Sequence, residues 1–268
     1  MRLVRAIEEE KPDFVVFTGD QIWGNGARTI LKEFFAPLDE HSIPFAVVYG
    51  NHDREQKVLT EKQMAVAYTS HPFCVNELSP DGLLSDLALP VMSAKGGEVA
   101  AILYCIDSKD YKKDIDECFA GYSWIPRSTV EWYSSQSRDY TAQSGAPLPS
   151  YMFFHIPLQE FTQAFDKGTV LAGTRGESEC VSKVNSGLLA AILENRDVHA
   201  VFCGHDHDND YVAALGGIAF VYGRYSGDET VYNHLPHGFR VIELTEGAKG
   251  FRTWIHQDDG QLVDDVTF

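Results

Sequence analysis

The sequence predicts an α/β protein built as a four-layer α/β/β/α sandwich, with two mixed sheets face to face and helices outside. Three observations carry this. Five short apolar runs, "DFVVF" (13–17), "FAVVY" (45–49), "VAAILYCI" (99–106), "YMFFH" (151–155) and "VHAVFC" (198–203), read as buried strands. Helix-like segments lie between several of them, the pattern of a sheet covered by helices. After residue 215 the pattern changes to glycine-punctuated strands with no clear helix between them, as a second, mainly antiparallel sheet requires. The chain has 268 residues, enough for a substantial core, and shows no linker, repeat or low-complexity tract, so one domain over 1–268 is expected.

The elements follow in order. "MRLVRAIEEEKPD" reads as the tail of a helix and lacks the long apolar core of a signal peptide. After "DFVVF", the segment "GARTILKEFFAPLDEH" is amphipathic until Pro37 interrupts it. "TEKQMAVAYTS", after "FAVVY", opens with Thr60 as a helix N-cap. The aromatics of "YSWIPRSTVEWYSSQ" are read as packing a helix against the sheet, and "NSGLLAAILEN" has apolar spacing suited to the same task. The closing strands are "GGIAFVYG", "GFRVIEL" and "GFRTWIHQDDG". No apolar run approaches the length needed to cross a membrane.

Composition narrows the partners. The 22 Lys and Arg against 39 Asp and Glu give a formal net charge of −17, which opposes attraction to nucleic acid or anionic lipid and favours small substrates. Of five cysteines, Cys105 and Cys203 sit in apolar strands as small hydrophobes, while Cys74, Cys118 and Cys180 fall in loops where a disulfide can form. The cysteines leave the compartment open.

Four of the five apolar runs end in residues that bind metals. "DFVVF" leads to Asp20, "FAVVY" to Asn51, His52 and Asp53, "YMFF" to His155, and "VHAVFC" to His205 and His207. Ligands in open α/β sheets gather beyond the carboxyl ends of the strands, so a single site collecting all four is the economical reading. In an extended chain, residues i and i+2 point the same way, which lets His205 and His207 converge. A carboxylate, an amide oxygen and imidazoles suit divalent Mn, Fe, Zn, Co or Ni, and the lack of convergent thiols argues against structural zinc.

Together, "GD" (19–20), "GNHD" (50–53), His155 and "GHDH" (204–207) resemble, in order and spacing, the calcineurin-like metallophosphoesterases. Strings such as "FFHIPLQEF" and "GHDHDNDY" are most similar to the purple-acid-phosphatase-like subgroup. The resemblance implies the metallophosphatase fold and hydrolysis of a phosphate mono- or diester by metal-bound hydroxide at two divalent ions (Mn, Fe or Zn). By the same resemblance Asp20 bridges the ions, Asn51, His155 and His205 complete one position, and His207 belongs to the other. His52 would stabilise the phosphoryl charge or protonate the leaving oxygen, with Asp53 orienting its ring. The tyrosine of the purple enzymes' GDxxY motif is replaced here by Trp23, which implies a colourless site.

The family's first motif, D-x-H, has no counterpart: residues 1–19 contain no histidine. The second ion would keep only Asp20 and His207, so one ion per chain is an alternative. An N-terminally truncated chain that has lost its first strand is the leading expectation. The competing reading is a noncatalytic or impaired phosphoesterase-fold scaffold; a nuclease is disfavoured by the charge. Arg54 and Arg224 are candidates for phosphate contact, and His234 and His237 for lining the pocket. Substrate choice is expected to lie in loops such as 71–98 and 166–183.

Overall fold

The computed structural model describes residues 2–227 and 234–268; Met1, on which the truncation reading turns, and Asn233 of "NHLPHG" lie outside the described residues. The chain opens with α1 (Arg2–Glu10), β1 (Val15–Thr18), α2 (Ala27–Glu33), α3 (Ala36–Glu40), β2 (Phe45–Val48), α4 (Asn51–Glu55) and α5 (Glu61–Thr69). Next come β3 (Leu87–Met92), β4 (Val99–Cys105), the short hairpin β5 (Tyr111–Lys112) and β6 (Gly121–Tyr122), α6 (Arg127–Ser144) and β7 (Ser150–Phe153). The remainder is α7 (Gln159–Lys167), β8 (Thr169–Ala172), α8 (Leu188–Asn195), β9 (Val198–Cys203), β10 (Val212–Leu215), β11 (Ile218–Tyr222), β12 (Gly238–Leu244), β13 (Phe251–Gln257) and β14 (Leu262–Thr267).

Seven strands form the main sheet in the order β3-β4-β7-β9-β11-β10-β8. Its centre, β4, β7, β9 and β11, is parallel, and the outer strands run antiparallel. The facing layer comes in two pieces, the parallel pair β1-β2 and the antiparallel β12-β13-β14. Between the layers Val48, Tyr151, Phe153, Phe202 and Val221 pack with Val16, Ile242 and Leu244. On the outer face of the main sheet, Tyr104, Met152, Phe154 and Phe220 meet Tyr133 of α6, Phe161 of α7 and Ile192 of α8. A third core, including Leu31, Phe35, Phe45, Met64 and Tyr68, joins α2, α3 and α5 to β2, and Ile7 of α1 reaches it. The layers are therefore helices, two small sheets, the seven-stranded sheet and helices again, a mixed α/β fold of the expected kind.

Two expectations change. "GGIAFVYG" belongs to the main sheet rather than to the second one: β11 runs parallel to β9, pairing Phe220 with Val201. All five β11 residues are buried, which suits a strand covered on both faces better than one in a half-exposed antiparallel sheet. The loop cysteines form no disulfide; all five are free. Among the described residues no helix is long and apolar enough to cross a membrane.

The α5 cap shows how local sequence fixes an element. Thr60 Oγ1 accepts the Gln63 N–H at 3.3 Å, while the Gln63 side chain accepts the Thr60 N–H at 3.0 Å, a reciprocal capping box. Thr60→Ala is expected to lower unfolding stability by about 1 kcal/mol. Urea denaturation checks this, and an unchanged midpoint would show that packing of Met64 and Tyr68 alone holds the helix.

Candidate metal centre

The site forms where the loops after β1, β2, β7 and β9 meet, and two glycines let them approach. A Cβ on Gly50 would lie 2.0 Å from Asp20 Oδ1, and one on Gly19, whose φ is +98°, would lie 2.3 Å from His155 Nδ1. Asp20 (φ 58°) and His205 (φ 77°) both hold left-handed backbone, a strained conformation for residues with a Cβ that packing around a site must sustain. The Asp20 Oδ1 accepts the His52 N–H at 2.8 Å, tying the β1 loop to the start of α4.

Four ligand-capable atoms converge around His155. Its Nδ1 lies 2.7 Å from the Thr18 carbonyl, which can only accept, so Nδ1 carries a proton and Nε2 is the ring atom turned to the site, the one a metal would take up in place of a proton. Around that Nε2 stand Asp20 Oδ2 at 3.0 Å, Asn51 Oδ1 at 3.2 Å and His205 Nδ1 at 3.2 Å. The Asp20, His155 and His205 ligand atoms all lie within 4.8 Å of one another. Lone pairs brought this close repel unless a cation or proton sits among them. A backbone acceptor that locks the histidine tautomer is also the usual support of a metal-binding imidazole. The donor set, one anion with neutral oxygen and nitrogen, fits a divalent ion.

The electrostatics agree. Burial opposes charge on Asp20, but the adjacent His155 in its charged form, and His52, outweigh it and hold the carboxyl well below its ordinary range; Asp20 in turn raises His155 against its own burial, so without an ion the cation joining the pair is a proton on Nε2. Burial, with His155 beside it, pushes His205 well down, so that ring is neutral, the form that binds a metal. Its Nε2 is buried without a hydrogen-bond partner among the described residues.

The structure brings Asp20, Asn51, His155 and His205 together but leaves His207 outside that group. The extended-chain alternation fails because His205 is left-handed: its ring turns to His155, while the His207 ring stacks on Tyr225 at 5.4 Å and 14°. Asp53 does not orient the His52 ring. Fully buried, it spends its oxygens on the backbone N–H groups of Asp20 (2.8 Å), Ile22 (2.9 Å) and Gly50 (2.8 Å), so it shapes the loops. Burial and the adjacent Asp20 push its carboxyl up to about 7 against those donors. Glu55 is the group on His52, with Oε2 2.6 Å from Nδ1, and the exposed Trp23 ring lies 5.5 Å from the imidazole.

Neither arginine candidate is available to a phosphate. Arg54 is held bidentately by Asp107 (3.1 and 2.7 Å) and by Glu61 (3.2 and 2.7 Å), and the buried Arg224 pairs with Asp210 and donates to the Pro236 carbonyl. His234 is engaged by Asp208, and His237 packs on Tyr225 at 4.7 Å. A second group of donors, Cys180, His205 and Asp206, also falls within 4.8 Å, but the Asp206 oxygens already accept the Cys180 N–H (3.1 Å) and the Tyr222 hydroxyl (2.6 Å). Sequence reading missed Glu55, Tyr111 and Tyr122. Glu55 lies three residues after His52, a helical spacing that offers a signal; the tyrosines reach the site only through tertiary folding.

Comparisons with known proteins bear on this geometry. The chain is 31% identical over 290 residues to a "Probable inactive purple acid phosphatase 29" of Arabidopsis thaliana, covering 96% of this chain and 73% of that protein. It is 33% identical over 224 residues to "Phosphatase DCR2" of Saccharomyces cerevisiae, covering 77% of this chain but only 38% of that longer protein. Among solved structures, a dimetal phosphatase from Danio rerio superposes with a TM-score of 0.66 at 15% identity, over 98% of this chain and 86% of that one, a likeness of fold. The family model for calcineurin-like phosphoesterases matches residues 1–209, a span that holds all four converging loops, and the chain belongs to that family.

Proposed function

We propose that the protein is a metal-dependent phosphoesterase acting on a small phosphate mono- or diester. The observation that carries this reading is the convergence of Asp20, Asn51 and His205 on the proton-locked His155, each within 3.2 Å of its Nε2. A divalent ion held by these four residues would supply Lewis-acid polarisation of a phosphoryl oxygen and lower the pKa of water to roughly 7. The chain's own groups do the rest. Asp20 contributes the one negative charge of the set, Asn51 a neutral oxygen that keeps the site open to an anion, and the Thr18 carbonyl keeps His155 in its ligating tautomer. His52, with Nδ1 tied to Glu55, has Nε2 left to hold a proton for the leaving oxygen. The net charge of −17 supports a small substrate over nucleic acid or a membrane surface.

The test is ion content and turnover on one preparation. After chelation and reloading with Mn, elemental analysis is expected to return one ion per chain, with Mn-dependent hydrolysis of p-nitrophenyl phosphate or its bis ester. Two ions per chain would bring His207 and further donors into a binuclear site. Uptake without turnover on either ester would favour the scaffold reading, to which the name of the Arabidopsis relative lends support. No uptake would overturn the metal reading.

A further inference from the structure

An asparagine ligand poses a problem that a carboxylate does not. Its two ends are nearly the same shape, but only the oxygen can bind a cation, and a half-turn of the amide would aim an NH2 group at the ion. Something must read the nitrogen end. In this structure Asn51 Nδ2 donates to the Tyr111 hydroxyl at 3.1 Å, while Oδ1 lies 3.2 Å from His155 Nε2, on the side of the converging ligands.

The hydroxyl that accepts this bond is polarised in the right direction. Glu55 stands beside the Tyr111 hydroxyl as it does beside the His52 ring, and a carboxylate can only accept, so it draws the phenol O–H towards itself. With the O–H committed, only lone pairs face Asn51, and they select the amide nitrogen. The same carboxylate reaches His52 Nδ1 at 2.6 Å. The Tyr111 ring is fixed in turn by stacking on Tyr122 (5.2 Å, 24°), whose ring meets His205 edge-on at 4.5 Å. The hairpin β5-β6 thus braces two of the converging ligands from outside, and His52 through Glu55.

We infer that Tyr111 is a positioning residue that selects which end of the Asn51 amide meets a bound ion, and that Glu55 fixes the direction of its hydroxyl and links it to His52. The inference rests on the metal reading above, since an amide with no ion to meet has no end to select.

The test is Mn affinity by calorimetry in four proteins: wild type, Tyr111→Phe, Asn51→Asp and the double variant. Phenylalanine keeps the stack on Tyr122 and deletes only the hydroxyl, so the metal-free melting temperature serves as the control for folding. Tyr111→Phe is expected to weaken Mn binding about 10- to 100-fold, the usual cost of losing a group that orients a metal ligand. A carboxylate has no wrong end. In the Asn51→Asp background the same change is therefore expected to cost less than about threefold, a non-additivity that a purely packing role would not produce. Wild-type affinity in Tyr111→Phe, or an equal loss in both backgrounds, overturns the inference while leaving the metal reading standing. A wild-type protein that binds no Mn overturns both.

Discussion

Asp20→Ala is expected to leave the protein without a bound ion and to lower Mn-dependent phosphate ester hydrolysis by about 10³ or more. The size follows from what the residue alone supplies. Asp20 is the single carboxylate among the four converging residues, 3.0 Å from His155 Nε2, and the other three offer amide or imidazole donors. An ion is worth several kcal/mol of transition-state charge stabilisation, and each 1.36 kcal/mol is tenfold in rate. Asp20 also anchors structure, because its Oδ1 accepts the His52 N–H at 2.8 Å. Asp20→Asn separates the two roles: it keeps an oxygen for that N–H and removes only the charge, so it is expected to retain the wild-type circular dichroism while losing the ion. Elemental analysis and initial rates check both variants. An Asp20→Ala protein that still carries one Mn per chain would take Asp20 out of the ligand set.

How far the site could be read from sequence depends on whether the information is local. The convergence of Asp20, Asn51, His155 and His205 is legible because each closely follows an apolar strand, and the parallel strands deliver their ends to one place. The convergence of His205 and His207 does not hold because the i, i+2 rule assumes extended backbone, and His205 breaks it with a φ of 77°; His207 stands apart from the four, where the resemblance assigns it to a second ion. Asp53 faces away from the His52 ring for a related reason. Adjacent residues on a helix point away from one another, so Asp53 turns to the backbone of Gly50, Asp20 and Ile22, while Glu55, three residues on, lies over His52. Arg54 and Arg224 illustrate the limit from the other side. A guanidinium looks available for phosphate until tertiary structure shows which carboxylates already hold it, here Asp107 and Glu61 for one and Asp210 for the other.

The fold divides along the same line. Buried strands and the Thr60 cap were legible because burial and capping leave marks in neighbouring residues. Sheet membership left weaker ones. "GGIAFVYG" reads equally well in either sheet, and only its pairing with β9 puts it in the larger one. The facing layer comes as two separately paired pieces, β1-β2 and β12-β13-β14, which no local pattern announces. What the chain joins across its length lies elsewhere: His256 of β13 meets Glu10 of α1 at 2.6 Å.

His52→Ala is expected to keep the ion and lose the reaction. None of the close approaches among the four ligands involves the His52 ring, which is half-buried beside Trp23 with its Nδ1 on Glu55, so Mn content should match wild type. A positioned proton donor contributes typically 10²–10⁴ in rate, and a loss in that range is expected on an alkyl phosphate, whose leaving oxygen needs a proton. A p-nitrophenyl ester leaves without one. If His52 works by protonation, its replacement should cost that substrate far less. If His52 instead stabilises charge on the phosphoryl oxygens, both esters should suffer equally, because those oxygens are the same in each. The ratio of the two losses therefore distinguishes the roles, where a single rate cannot. Wild-type rates on both esters with Mn still bound would remove His52 from the chemistry and leave Glu55 and Trp23 holding a ring that the reaction does not use.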